Sequence, residues 1–318
     1  MSLSNCTFED INNILFDNNV KTIVIATHNS PDGDAIGSIC ALEEILKNIG
    51  KEVDLIFQTK VSEKYKLIVG EKRINKIIYP KKSKYDLAIL LDTGTRNMTY
   101  RNIDKIAKKF IIIDHHESCD FKCKYYLNNN DSSTGITIYN LLNDKIIFNE
   151  FISTCIYLSI ISDTDCFKNN NTNANAYLVS FNMIKNNANF DLANSIHNCI
   201  SRNYIKLLQR TLKNIVYINK NTSYLIIRED DVLDSNVTFK EAGKIIDTIK
   251  FINDIDTVIL LIENKNSVIV RMRSKTLDCC EIMKNFNGGG HHNSAATIVY
   301  NEDIYDLKDK IIKLATIH

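Results

Sequence analysis

The sequence has no surplus of charge of one sign. Lys and Arg number 39 against 38 Asp and Glu, a formal net charge of +1 over 318 residues, which excludes tight wrapping of long nucleic acid by a basic surface. A short anionic ligand in a local basic pocket stays compatible with that balance. No Cys-x-x-Cys pair occurs, and the nine cysteines are scattered and odd in number, so a disulfide framework is excluded and reduced thiols in a cytosolic protein are expected. No run reaches the roughly 18 to 20 apolar residues of a membrane span. Met1 to Asp10 has no basic stretch followed by an apolar core, so no secretory leader is read there. These absences point to a soluble, cytoplasmic protein. No internal repeat is visible, and the runs Asn128-Asn129-Asn130 and Asn169-Asn170-Asn171 read as polar loops rather than function.

What is present is an alternation of strand and helix signals long enough for two domains, each with its own core. Strands are expected at 22–27, 53–57, 87–91 and 110–113. Between the first two, Ile36, Ile39, Cys40, Leu42, Ile45 and Leu46 keep helical spacing from Ala35 to Asn48, ended by Gly50, a βαβ rhythm that implies a parallel sheet. Ser132-Ser133-Thr134 offers an N-cap for a helix to about Leu142. Helical pattern from Thr172 to about Ile215 suggests a connector. After it come a strand at Tyr224 to Arg228, a helix near Lys240 to Thr248, a hairpin around Glu263-Asn264-Lys265-Asn266, a helix near Cys279 to Asn285, the glycine loop Gly288-Gly289-Gly290, a strand at Ala296 to Tyr300 and a terminal helix. The expected organisation is a catalytic metal-binding domain over 1–190, a helical connector over 191–215 and a substrate-binding domain over 216–318.

The chemistry sits at the strand ends. His28-Asn29-Ser30-Pro31-Asp32-Gly33-Asp34 follows the run Ile23 to Thr27; Asp92 ends Leu87 to Leu91; Asp114-His115-His116 ends Phe110 to Ile113; and Asp163 follows the apolar stretch Phe151 to Ile161. Carboxyl ends of parallel strands are where open α/β sheets bind ligands. A lone His28 reads more readily as a satisfied core histidine, and a lone Asp32 or Asp34 as turn chemistry around Gly33. Four segments delivering Asp and His to one edge do not, because like charges converging without a cation repel. The pattern is that of a two-metal hydrolytic site. A second cluster, Arg271-Met272-Arg273-Ser274 with Gly288-Gly289-Gly290-His291, combines forked guanidinium donors with a glycine backbone open to an anion; the plain alternative is a flexible loop beside a basic strand. The two domains are expected to form a cleft with metals on one wall and phosphate or sugar donors on the other.

With these residues in place the chain resembles the DHH/DHHA1 phosphoesterases, and among them the stand-alone type that degrades very short oligoribonucleotides and removes the 3′-phosphate of phosphoadenosine phosphate. The resemblance runs through His28 to Ser38, Asp92, Asp114-His115-His116, Ser133-Thr134-Gly135, Asp163-Thr164, Arg273-Ser274 and Gly288 to His291. It implies a parallel five-stranded α/β domain with flanking helices, a helical connector and a smaller mixed α/β domain. It implies two Mn2+ ions, one held by His28, Asp32 and Asp92, the other by Asp34, Asp92, His115 and Asp163, with Asp92 bridging. His116 would lie against the scissile phosphate and Asp114 would support the histidines, while Arg273, Ser274, Gly288, Gly289, Gly290 and His291 would bind substrate. The implied reaction is hydrolysis by two-metal activated water of di- to pentaribonucleotides, linear diadenylate or phosphoadenosine phosphate, with no long nucleic acid or membrane as partner and the oligomeric state, monomer or homodimer, open. Three departures stand at Asp165 and Asn287, where the family has glycine, and at Thr297; none is an implied ligand. The alternatives are an inorganic pyrophosphatase or exopolyphosphatase sharing the metal half, against which the Gly288 to His291 loop argues, and a catalytically silent nucleotide-binding protein.

Overall fold

The computed structural model describes residues 6–116 and 119–317, and the chain divides into two compact units, Met1–Cys199 and Ile200–His318. In the first unit β1 (Thr22–Ala26), β2 (Glu52–Ile56), β3 (Tyr85–Leu91), β4 (Ala107–Asp114) and β5 (Tyr125–Asn128) form one parallel sheet in the order β2-β1-β3-β4-β5. The four strands read from the sequence lie where expected. β5 escapes periodicity because it is only four residues long, and its pairing with β4 makes it a strand.

Parallel strands buried on both faces are apolar throughout rather than alternating, and Leu87 to Leu91 are all fully buried. One face carries α1 (Phe8–Leu15), α2 (Gly33–Asn48), α4 (Thr134–Leu142) and α5 (Glu150–Asp163), whose Ile36, Ile39, Ile136 and Ile156 share a core with Ile23, Ile25 and Ile89. The short α3 (Lys66–Val69) and the helices α6 (Ala174–Lys185) and α7 (Phe190–His197) add to the same side. The other face is closed by Ile103 and Phe121 over Val24, Ala88 and Ile112. Strand order reverses between β1 and β3. A sheet leaves a crevice at such a reversal, beyond its carboxyl ends.

The second unit holds a mixed sheet, β10 (Gly289–His291), β11 (Ser294–Tyr300), β9 (Ser267–Ser274), β8 (Thr257–Asn264), β7 (Thr222–Ile227) and β6 (Val216–Tyr217) in that spatial order. Only β7 and β8 run parallel. Leu225, Val258 and Leu260 face α8 (Arg202–Thr211), α9 (Glu229–Asp234), α10 (Phe239–Ala242) and α11 (Ile245–Ile249), while Ile259, Val270 and Met272 face α12 (Cys279–Lys284) and α13 (Ile304–Ile317). The hairpin at Glu263 to Asn266 forms as expected. Two details differ from the sequence reading. The helix expected over 240–248 is split at Gly243, and the glycine loop is partly a strand, because Gly289 to His291 pair with Ser294 to Ala296. The stretch expected as a connector, 191–215, holds α7 with the first unit and α8 with the second. Among the described residues no helix is long and apolar enough to cross a membrane.

Candidate metal centre

His28 and Asp32 stand on the loop between β1 and α2. His28 Nδ1 lies 2.9 Å from the Asn29 carbonyl; a proton donated there leaves Nε2 as the lone-pair nitrogen, and Nε2 lies 3.7 Å from Asp32 Oδ1 and 3.4 Å from Asp92 Oδ2. Asp32 is the N-cap of α2, its Oδ1 accepting from the Asp34 and Ala35 amides at 3.1 and 3.2 Å. The sequence suggested a tight turn aiming Asp32 and Asp34 into one hollow. They belong instead to a cap and the first helical turn, and they serve different neighbours.

Asp34 is buried and over-determined. It accepts from Ser38 Oγ at 3.0 Å, from Ser159 Oγ at 2.5 Å, and from the Thr134 and Gly135 amides at 2.9 and 3.4 Å. Those amides open α4, whose N-terminal dipole favours a carboxylate. Thr134 also donates its hydroxyl to Asp92 Oδ1 at 3.1 Å, so one helix start holds two site carboxylates. Asp92 has a φ of 61, left-handed backbone that Asp tolerates better than most residues, and its amide still bonds to Ile113 O at 3.0 Å.

The Asp114 carboxylate organises the histidines. Its Oδ1 accepts from the His115 and His116 amides at 2.8 and 3.2 Å and meets His116 Nδ1 at 2.8 Å. That contact raises the His116 pKa above its ordinary value, against burial and the neighbouring His115. His115 Nε2 approaches Asp92 Oδ1 at 3.3 Å, Asp34 Oδ2 at 3.4 Å and Asp163 Oδ2 at 3.7 Å. Asp163 ends α5 and is held by two residues that sequence reading assigned to a polar loop: Asn169 donates to its carbonyl at 2.9 Å and Asn171 to its Oδ2 at 3.2 Å. Nothing in an Asn-rich run marks those two positions.

Among the described residues three donor groups result, each with its ligand atoms within 4.8 Å: His28, Asp32 and Asp92; Asp34, His115 and Asp163; Asp92, His115 and His116. Burial opposes charge on His28 and His115, yet the facing carboxylates outweigh it and push each ring up to about 11. Burial, with Asp92 close by, drives Asp34 well above the carboxylate range, and burial with Asp92 and Asp32 pushes Asp163 up to about 7 against the pull of His115. Burial also works against the Asp92 charge, but His115 and His28 hold it well below the usual range. Without a cation the cluster must therefore take up protons. His115 Nε2 is buried and makes no hydrogen bond, although three carboxylates surround it. Hard oxygens and imidazole nitrogens grouped around points rather than paired are a donor set that fits divalent cations such as Mn2+.

In the second unit Arg273, on β9, donates Nε to Asp247 Oδ1 at 3.2 Å. Ser274 is buried, its hydroxyl meeting Thr257 Oγ1 at 2.8 Å and accepting from the Leu277 amide at 2.9 Å, so it braces the end of β9. The three glycines differ. A Cβ on Gly288 would lie 2.6 Å from the Ala296 carbonyl, and one on Gly290, at φ +147, 2.3 Å from the Ser294 carbonyl; one on Gly289 would meet nothing within 4 Å. Packing requires the outer two, and only Gly289 faces open space. The side chain of His291 lies outside the described residues. The departures have local reasons: Asp165 and Asn287 have φ of 47 and 56, where Asp and Asn stand in for glycine, and Thr297 Oγ1 donates to Phe286 O at 2.7 Å.

Residues 22–160 match the DHH family, N-terminal domain, and residues 221–316 match the DHHA1 domain. The chain carries a DHH domain and a DHHA1 domain. It is a DHH-family phosphoesterase, a hydrolase. A relative from Bacillus subtilis, the bifunctional oligoribonuclease and PAP phosphatase NrnA, is 24% identical over 291 residues, covering 90% of this chain and 91% of its own. A relative from Enterococcus faecalis named a probable manganese-dependent inorganic pyrophosphatase is 26% identical over 157 residues, 47% of this chain and 50% of its own. The crystal structure of an exopolyphosphatase-related protein from Bacteroides fragilis has the same fold, with a TM-score of 0.84, 21% identity and 96% of each chain covered. The DHH match holds every candidate ligand but Asp163, which lies just beyond it in the same unit, and the DHHA1 match holds Arg273 and the glycine strand.

Proposed function

We propose that the chain is a two-metal phosphodiesterase of short nucleotides, cleaving di- to pentaribonucleotides and linear diadenylate and removing the 3′-phosphate of phosphoadenosine phosphate. The observation that carries this reading is the sharing of Asp92 and His115 among three overlapping donor groups. His28, Asp32 and Asp92 would hold one cation, and Asp34, Asp92, His115 and Asp163 the other. When bound, the cations supply activation of water and neutralisation of charge developing on the phosphate.

The protein's own groups do the rest. Asp114 accepts the Nδ1–H of His116 and favours the ring's protonated form, so that the imidazolium carries a second proton on Nε2 to donate to a phosphate oxygen or to pass to the leaving oxygen. Asn171 keeps Asp163 aimed, and Thr134 keeps Asp34 and Asp92 apart but in register. The DHH unit is the catalytic half and the DHHA1 unit the substrate-binding half, with Arg273, Gly289 and His291 contacting substrate and Ser274 positioning the end of β9. A near-neutral chain has little charge for a long strand, so long RNA is not its substrate, and the enzyme works in the cytoplasm.

The test is purified protein with Mn2+ against phosphoadenosine phosphate, linear diadenylate, pyrophosphate and RNA from dimer to 24-mer. Turnover should be highest on dimers to pentamers. Hydrolysis of pyrophosphate alone would replace this reading with a pyrophosphatase, and faster cleavage of the 24-mer than of the dimer would overturn the short-substrate claim.

A further inference from the structure

Two residues before Arg273, on the same face of β9, stands Arg271. It is half-buried, its Nε is buried without a hydrogen-bond partner, and among the described residues its guanidinium neither donates to any acceptor nor pairs with any carboxylate. Gly243 explains how it fits there. A Cβ at that position would lie 2.6 Å from both Cζ and Nε of Arg271, so the guanidinium lies against bare backbone at the split between α10 and α11. The nearby carboxylate is Asp247, already taken by Arg273 at 3.2 Å and Lys250 at 3.6 Å. Burial and the charge on Arg273 both lower the Arg271 pKa, but a guanidinium starts so high that it stays charged.

Cross-strand register supplies an open floor beside it. Arg271 pairs with Ala296 on β11, and Ala296 with Gly289 on β10; both small residues are exposed. A charged donor fork left unpaired is costly, and this one borders free surface. We propose that Arg271 and Arg273 together form a subsite for a dianionic phosphate monoester, which makes the chain favour short nucleotides that end in a phosphate over those that end in a hydroxyl. The inference rests on the phosphodiesterase reading and names a group on its substrate. A terminal phosphate carries close to two charges at neutral pH and matches the fork of Arg271 beside the N–H donors that Arg273 has left after bonding to Asp247 and the Met272 carbonyl, whereas a bridging diester carries one.

The experiment is calorimetric binding of adenosine 5′-monophosphate and of adenosine to the full, metal-free chain. Wild type should prefer the monophosphate by about tenfold or more, the worth of a charge-assisted pair of hydrogen bonds. Arg271→Gln should shrink that ratio to about threefold or less, and Arg271→Lys, which keeps the charge but not the fork, should fall between. Gly243→Ala should reproduce the loss by displacing the guanidinium, and it decides the matter if Arg271→Gln loses its cooperative thermal transition. A ratio unchanged in Arg271→Gln and Gly243→Ala would overturn the subsite. Equal weakening of both ligands would do the same and reduce Arg271 to support for Arg273. Because the readout is binding without metal, a failure to cleave short RNA would sink the phosphodiesterase reading and leave this ratio standing.

Discussion

The DHH and DHHA1 units treat charge in opposite ways. In the DHH unit the site carboxylates are crowded together and held by donors: Asp34 by Ser38 of its own helix and by Ser159, Thr134 and Gly135 of α5 and α4, Asp92 by Thr134, Asp163 by Asn171 from the turn after α5. In the DHHA1 unit Arg273 shares the Asp247 carboxylate, and among the described residues the Arg271 guanidinium makes no ion pair or hydrogen bond. A cation site must fix its ligands before the ion arrives, because repulsion would otherwise scatter them. An anion site can leave its donors unsatisfied, since the ligand brings the missing acceptors. The same contrast exists along β3. Asp86 at its start accepts from the Lys21 and Thr22 amides and from Lys108 Nζ at 3.1, 3.0 and 2.8 Å, whereas Asp92 just past its end faces His28, His115 and His116.

The sharpest way to break the contrast is Asp92→Ala. Removing the carboxylate common to two donor groups should lower kcat by about a thousandfold or more and strip metal, measured by turnover and elemental analysis; a loss below about tenfold would end the shared-ligand account. His116→Ala comes next, with an expected fall in turnover of about a hundredfold and metal content retained. Loss of a full equivalent of metal would make His116 a ligand. Arg273→Ala should raise KM for a diribonucleotide about tenfold while a minimal diester, bis(p-nitrophenyl) phosphate, is turned over nearly as before; equal loss on both would erase the division between the units. Asn171→Ala, which frees Asp163 to rotate, should cost about fivefold in kcat.

The smallest effect separates the two ends of β3. Lys108 and the Lys21 and Thr22 amides hold the Asp86 pKa below its ordinary value. A carboxylate depressed in the folded state contributes stability that is complete above its unfolded pKa, about 3.9, and that drains as pH falls towards the folded value. Asp86→Asn should therefore cost about 1 kcal/mol at neutral pH, and the difference from wild type should shrink below about pH 4, read from denaturation midpoints. A constant difference down to pH 2 would show that Asp86 acts through shape rather than charge.

Much of this was legible before any coordinates. Apolar runs read at 22–27 and 87–91 became the strands Thr22–Ala26 and Tyr85–Leu91 because continuous burial needs no partner-specific pattern, and Ser133 capped α4 as its residue type implies. β5 was not legible, being four residues that pair only because β4 stands beside them. The turn read into Asp32-Gly33-Asp34 was displaced by helix capping, since the amides of a helix start compete for the same Asp oxygen. Asn171 was hidden by composition, and although Arg271 was legible as an anion donor beside Arg273, nothing in the sequence placed it against Gly243.

The sequence by itself determined which residue types arrive at the strand ends and how much like charge they bring, because periodicity, caps and charge are properties of single segments. Tertiary structure alone decided their company. That Asp34 faces His115 and Asp163 while Asp32 faces His28, and that Arg271 lies against Gly243 with its Nε buried and unbonded, follows from strand order and helix packing between residues far apart in the chain, which no local pattern encodes.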